Sequence, residues 1–345
     1  MSARSPLLDV YRIFAAMYVL SFHWFSNNAG EIKNLDSPFN IPSTALQNLS
    51  NYGYLGVDLF FVLSGLVITQ SAIGNTPHNF AISRFLRLFP TYFTALILHV
   101  TLVPLVDSNY LNRSLTWPPY IIDVAWTLWL EIRFYFFVYC IILARKLFGR
   151  SLDYATITVC SYFWLILSLI GALFENPIFH FLSLRGFSVE FLLGISILLF
   201  SRKASVATAL LLVLTFIGAL MKILNRASAK YDGKFLEFDS KLIFLSILTL
   251  FLLFVTSLIF RDRVDSVIPS SLTKKIQILS LMTYPIYLIH NGVGVAIIAI
   301  LDQFFDIKLA YAFSFITISL ISYLMITHLE IRTMAMLKIR KSRTN

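Results

Sequence analysis

The sequence predicts an all-α membrane protein, a polytopic bundle of about ten transmembrane helices with both termini cytoplasmic. Three observations carry this. Of 345 residues, 58% are hydrophobic and 13% are charged, about half the charged share of a soluble globular domain. Apolar runs near the roughly 20 residues needed to cross a bilayer core recur along the chain. The surplus of 28 Lys and Arg over 18 Asp and Glu sorts mainly to one set of loops, as the positive-inside rule expects. That sorting accounts for the net charge of +10 without nucleic acid as a partner. Cys140 and Cys160 fall in apolar runs and are expected to pack, with no disulfide. His and Cys show no metal-ligand spacing, so no metal is expected.

The spans are placed at roughly 7–27, 53–73, 88–106, 121–144, 153–174, 184–201, 205–224, 241–260, 276–300 and 309–329. The first is expected to be retained, because its apolar region is long, holds Arg12 and His23 and lacks a small-residue cleavage site. With the N-terminus inside, the inner loops and tails hold Arg4, Arg84, Arg87, Arg145, Lys146, Arg150, Arg202, Lys203, Arg261, Arg263, Lys274 and Lys275, and the basic tail follows. The outer side holds Lys33, Arg113, Arg226, Lys230, Lys234, Lys241 and Lys308. No repeat or low-complexity linker divides the chain, so residues 1–345 read as one membrane domain.

The first span carries the most informative pair. Arg12 and His23 are ionisable groups in an apolar run, where such groups are costly and by default functional. At about 100° per residue, eleven residues return to the same helix face. At about 1.5 Å per residue the two lie roughly 16 Å apart. That layout suits gripping one end of a long charged molecule and reacting at the other.

The second span opens Gly53-Tyr54-Leu55-Gly56-Val57-Asp58 and continues to Gly65. Asp58 needs a partner there, either His23 or an arginine; the alternative to a catalytic role is a helix cap or a structural ion pair. Next, Arg84 and Arg87 stand three apart before Pro90, which is tolerated in the first turn of the following helix. Paired guanidiniums match phosphate oxygens; the alternative is an ordinary basic loop that fixes topology. In the fourth span Glu131 and Tyr135 share a face, whereas Arg133 points elsewhere. Glu131 paired with His23 would orient the imidazole and raise its basicity; a Glu–Arg bridge without chemistry is the other reading. In the ninth span His290 either helps bind an acceptor or is a hydrogen-bonded interior histidine. His78, His99, His180 and His328 stand in no recognisable context and read as loop or packing residues.

Taken together and in order, these residues resemble the acyltransferase-3 family of integral-membrane acyltransferases. Arg12 and His23 match its Arg/Lys-x10-His pattern. Gly56-Val57-Asp58-Leu59-Phe60-Phe61-Val62-Leu63-Ser64-Gly65 resembles its GVDxFFVLSG signature. Arg84-Phe85-Leu86-Arg87-Leu88-Phe89-Pro90-Thr91-Tyr92 resembles RxxRIxPxY, and Trp126–Tyr135 resembles WSLxxEEQFY. The chain departs from the last pattern at Thr127, Ile132 and Arg133. Tyr284–His290 is similar to the late SYSLYLxH element, and Glu330 to a terminal acidic motif whose usual following Pro is missing.

The resemblance implies transfer of an acyl group, usually acetyl, from cytoplasmic acetyl-CoA to a carbohydrate hydroxyl. The acceptor would be a surface or lipid-linked glycan such as O-antigen, capsule or exopolysaccharide, at the inner membrane. Arg12, Arg84 and Arg87 would then hold the phosphates of coenzyme A. His23 would act as general base, or as a transient acyl carrier, with Glu131 or Asp58 orienting it. The competing reading is a transporter or exporter of a glycan, since intramembrane Asp, Glu, Arg and His also suit proton-coupled transport. Against it, no inverted repeat is evident.

Overall fold

The computed structural model describes residues 5–26, 49–108, 121–174, 176–230 and 240–330. Among these the regular structure is helical, with no strand. Thirteen α-helices follow in order: α1 Pro6–Phe25, α2 Leu55–Ala72, α3 Pro77–Leu102, α4 Trp126–Leu147, α5 Tyr154–Leu173, α6 Pro177–Leu182, α7 Ser188–Arg202, α8 Val206–Lys230, α9 Ser240–Ile259, α10 Arg261–Val267, α11 Ser270–Ile289, α12 Gly292–Leu301 and α13 Ile307–Met325. Each segment read as a span from sequence falls on helix, the ninth on two, α11 and α12. By length and composition six helices among the described residues qualify to cross a membrane, and seven when α11 and α12 are taken as one bent span. The protein is therefore a multi-helix membrane protein. The sequence-read cations Arg4, Lys33, Arg113 and Lys234 and the basic residues beyond 330 lie outside the described residues.

Three expectations change. Pro90 was placed in a first helical turn, but α3 begins at Pro77 and Pro90 lies inside it. Arg84 and Arg87 thus project from a helix rather than a loop. Proline removes one backbone donor there, and four residues on Thr94 donates its hydroxyl to the Pro90 carbonyl at 3.0 Å. The seventh span extends to Lys230 instead of ending near 224, and Arg226 in the added part is paired with the Asp58 carboxylate. The ninth span is broken, with a 75° bend between α11 and α12.

The chain packs as two compact units. Unit 1 comprises residues 1–11, 57–80 and 131–274; unit 2 comprises 12–56, 81–130 and 275–345. In unit 1, α7 is buried almost all round from Ser188 to Leu199, as expected of a helix whose residues are largely apolar on all sides. Gly65 of α2 lies on the Phe191 backbone and Gly194 of α7 on the Val62 backbone, so a Cβ at either would run into main chain. Small residues permit this backbone-to-backbone approach without a hydrophobic drive from water. Phe191 stacks on Phe61 at 4.8 Å and packs against Phe134 at 4.5 Å between ring centres. In unit 2 the core gathers Leu20 and Trp24 of α1 with Ile286, Leu288 and Ile289 of α11 and Ile298 of α12.

Candidate active site

The most constrained polar region of unit 2 is the break between α11 and α12. Its cause is local. His290 is buried, and its Nδ1 lies 2.8 Å from the Tyr287 carbonyl and 3.2 Å from that of Ile286. A carbonyl only accepts, so Nδ1 carries the hydrogen and donates. The His290 carbonyl receives the Trp24 indole N–H at 2.9 Å, in place of a further turn of helix. Asn291 and Gly292, poor helix formers, complete the break. Asn291 donates its side-chain amide to Asp123 at 3.4 Å. A Cβ on Gly292 would meet the ring of His99, itself buried with Nδ1 donating to the Ala95 carbonyl at 2.8 Å.

This break is fixed onto the end of α1 that bears His23. Trp24 follows His23 directly, and Tyr311 of α13 donates its hydroxyl to the Trp24 carbonyl at 3.0 Å. The His23 and His290 rings lie 5.1 Å apart between centres, tilted by 59°. With Nδ1 protonated, a neutral His290 offers Nε2 as an acceptor, and that atom is buried with no hydrogen-bond partner among the described residues. A buried acceptor left unmatched costs about 1–3 kcal/mol, so Nε2 is the atom of this break that a hydrogen-bond donor would satisfy. Tyr287, one turn before, bonds its hydroxyl to Thr127 at 2.9 Å, and Tyr284 donates to the Leu88 carbonyl at 3.1 Å, one residue beyond Arg87. Arg12, His23, Arg84 and Arg87 are all partly buried residues of unit 2.

The two carboxylates named from sequence lie in unit 1. Asp58, 2% exposed, takes Arg226 as its partner at 2.6 Å, the arginine rather than the histidine of the two candidates. Beside it the fully buried Glu190 of α7 is paired with Lys222 at 2.8 Å. Both cations also lie over the Phe187 ring, Lys222 at 3.4 Å and Arg226 at 5.1 Å from its centre. Four charges in apolar surroundings are thus matched two by two, which is how buried charge is tolerated. Glu131 accepts hydroxyl hydrogens from Tyr135, one turn on, and from Ser64 at 3.0 Å. Arg133 turns away over the Phe181 ring at 4.9 Å, as the helical spacing anticipates.

Sequence reasoning missed Glu190, Lys222 and the partner against which His99 packs. Glu190 was findable, as a carboxylate inside an apolar run. His99 was not, because its contact to Gly292 joins segments nearly two hundred residues apart. No group of three or more metal-binding side chains assembles among the described residues.

A family model described as an acyltransferase domain, that of acyltransferase family 3, matches residues 6–327. No curated protein and no solved structure matches the chain. The match spans nearly all the described residues, including α1 with its Arg12 and His23 and the His290 break, and the chain belongs to the acyltransferase-3 family of membrane acyltransferases.

Proposed function

We propose that this protein moves an acetyl group from cytoplasmic acetyl-CoA to a hydroxyl of a cell-surface or lipid-linked carbohydrate, within the inner membrane. The observation that supports this most is the His23–His290 pair at a broken helix. His290, held by hydrogen bonds to its own helix and by the Trp24 indole, lies beside an imidazole able to take a proton from a hydroxyl.

In this reading His23 takes the proton of the acceptor hydroxyl as its oxygen attacks the thioester carbonyl. The carbon–sulfur bond then breaks, and the departing thiolate takes the proton back from His23. His290 receives the N–H of the transient imidazolium through Nε2, a charge-assisted hydrogen bond stronger than a neutral one. Arg12, Arg84 and Arg87 hold the phosphates of coenzyme A, their guanidiniums matching phosphate oxygens. Glu131, whose described partners are neutral hydroxyls, is assigned a part in the reaction. Asp58 is assigned to structure, as the charge partner of Arg226. Ten spans with both termini cytoplasmic, in one acyltransferase domain, would place the arginines on the donor side.

The test is transfer of radiolabelled acetyl from acetyl-CoA to membrane glycans. His23→Ala is expected to lower turnover by about 10²–10⁴-fold with unchanged membrane insertion. The double variant Arg84→Ala/Arg87→Ala is expected to raise the KM for acetyl-CoA before it lowers kcat. Full glycan acetylation by His23→Ala overturns the assignment. Wild-type protein that moves glycan across vesicles without acetylating it favours an exporter instead.

A further inference from the structure

Unit 1 contains a cavity of about 270 Å³ that the transfer chemistry does not use. Its long walls come from α4, through Val138 and Ile141, and from α5, through Ile157 and Leu167. Leu152, between α4 and α5, lines the end nearest their turn. The lining is hydrocarbon and aromatic apart from the hydroxyls of Thr69 and Ser161 and the two cysteine thiols. No convergent polar groups are present to fix a water or a polar ligand. From Ile157 to Leu167 the α5 wall rises ten steps, about 15 Å. That is about half of a 30 Å hydrocarbon core, the depth of one leaflet. The cavity also reaches the outside of the unit, since Cys140 is exposed and Phe163 is 64% exposed.

The Leu152 end adjoins the turn that joins α4 to α5. This turn carries Arg145, Lys146 and Arg150 against one carboxylate, Asp153. Arg145 is taken by Asp153 and by the Ser151 carbonyl. Lys146 and Arg150 are exposed. Between them Leu147 and Phe148 are 78% and 81% exposed. Bare apolar side chains flanked by solvated cations are the pattern of a segment at the boundary between headgroups and hydrocarbon.

We propose that this cavity is a binding slot for one hydrocarbon chain of an anionic diacyl phospholipid, whose phosphate rests against Lys146 and Arg150. The slot is one leaflet deep, dry, open to the side, and basic at the end where a headgroup would lie. A coenzyme A arm, with its amides and phosphates, finds no partners inside it.

The full-length protein in mild detergent is to be weighed by native mass spectrometry with phosphatidylglycerol or phosphatidylcholine of identical chains. Wild type is expected to retain one phosphatidylglycerol with a preference of about fivefold or more, the scale expected for two basic side chains near an anionic group. Lys146→Ala/Arg150→Ala, confined to the surface, is expected to bring the two lipids to equal retention. Val138→Trp, which fills the slot, is expected to lower retention of both. As a second measurement, phosphatidylglycerol brominated on its chains is expected to quench tryptophan fluorescence, with the quenched part absent in Trp164→Phe, because Trp164 lines the slot. This quenching decides the matter should Val138→Trp not fold. Equal retention of the two lipids by wild type, undiminished binding by folded Val138→Trp, or quenching independent of Trp164 would each overturn the proposal. A slot filled only by a glycan-linked lipid would do so as well.

Discussion

At His290 the two ring nitrogens do different work, and substitutions can separate them. Nδ1 is spent on the backbone of its own helix, while Nε2 faces no described protein donor. His290→Phe keeps a ring of similar size and removes the acceptor; His290→Gln places an amide oxygen near the Nε2 position. We predict that His290→Phe lowers kcat by about 10–100-fold with little change in KM for acetyl-CoA, less than the 10²–10⁴-fold of a general base because His290 acts only through a hydrogen bond, and that His290→Gln recovers part of the loss. Equal kcat in His290→Phe and wild type would remove His290 from the reaction. Asp58 gives the contrasting case. Asp58→Ala removes the carboxylate that faces Arg226, and removing one partner of a buried pair costs about 3–5 kcal/mol, toward the lower end here because Arg226 is 30% exposed. The double variant Asp58→Leu/Arg226→Met is predicted to recover most of the lost Tm and to acetylate glycan. A stable but inactive double variant would return Asp58 to the catalytic group.

At the scale of elements, the sequence was most legible where periodicity and buried charge agree. The Arg12–His23 spacing predicted one helix, and α1 runs unbroken from Pro6 to Phe25. Glu131 and Tyr135 were read onto one face, and they are hydrogen-bonded. What composition could not disclose was continuity. Pro90 looked like a helix start because proline is commonest there, yet the helix passes through it. The span at 276–300 looked straight because its apolar character never lapses, whereas it bends where side chains capture backbone carbonyls. That bend rests on a tight contact. Gly292→Ala is predicted to push a methyl into the His99 ring and cost about 1–3 kcal/mol as overpacking, read as a lower Tm. Paired with His99→Ala, the loss should shrink. A Gly292→Ala protein as stable as wild type would show that the break has room to spare.

For the molecule as a whole, the family and the membrane class were readable because they rest on order and hydropathy, which survive without three-dimensional detail. The partnering of carboxylates was not, since Asp58 is 168 positions from Arg226 and helical spacing says nothing about which helix lies alongside. Unit 1 is assembled from three separate stretches and unit 2 from three others, so neither can form until late segments exist. The two units also divide the sequence-read residues: the arginines and His23 in one, Asp58 and Glu131 in the other. The surfaces carry many bare apolar side chains, Phe14, Phe136, Phe163 and Ile316 among them, as a lipid solvent requires and water would not tolerate at this density.

The enclosed α7 has a consequence for biogenesis. On the ribosome Glu190 emerges a helical hairpin ahead of Lys222, so a translocon meets α7 while its acid has no counter-ion. The α7–α8 pair is then expected to partition into lipid as one unit. Lys222→Ala should lower the membrane insertion of α7, scored by glycosylation tags in a nascent-chain assay, although the substitution lies in the next helix. Equal insertion with and without Lys222 would mean that α7 enters unaided.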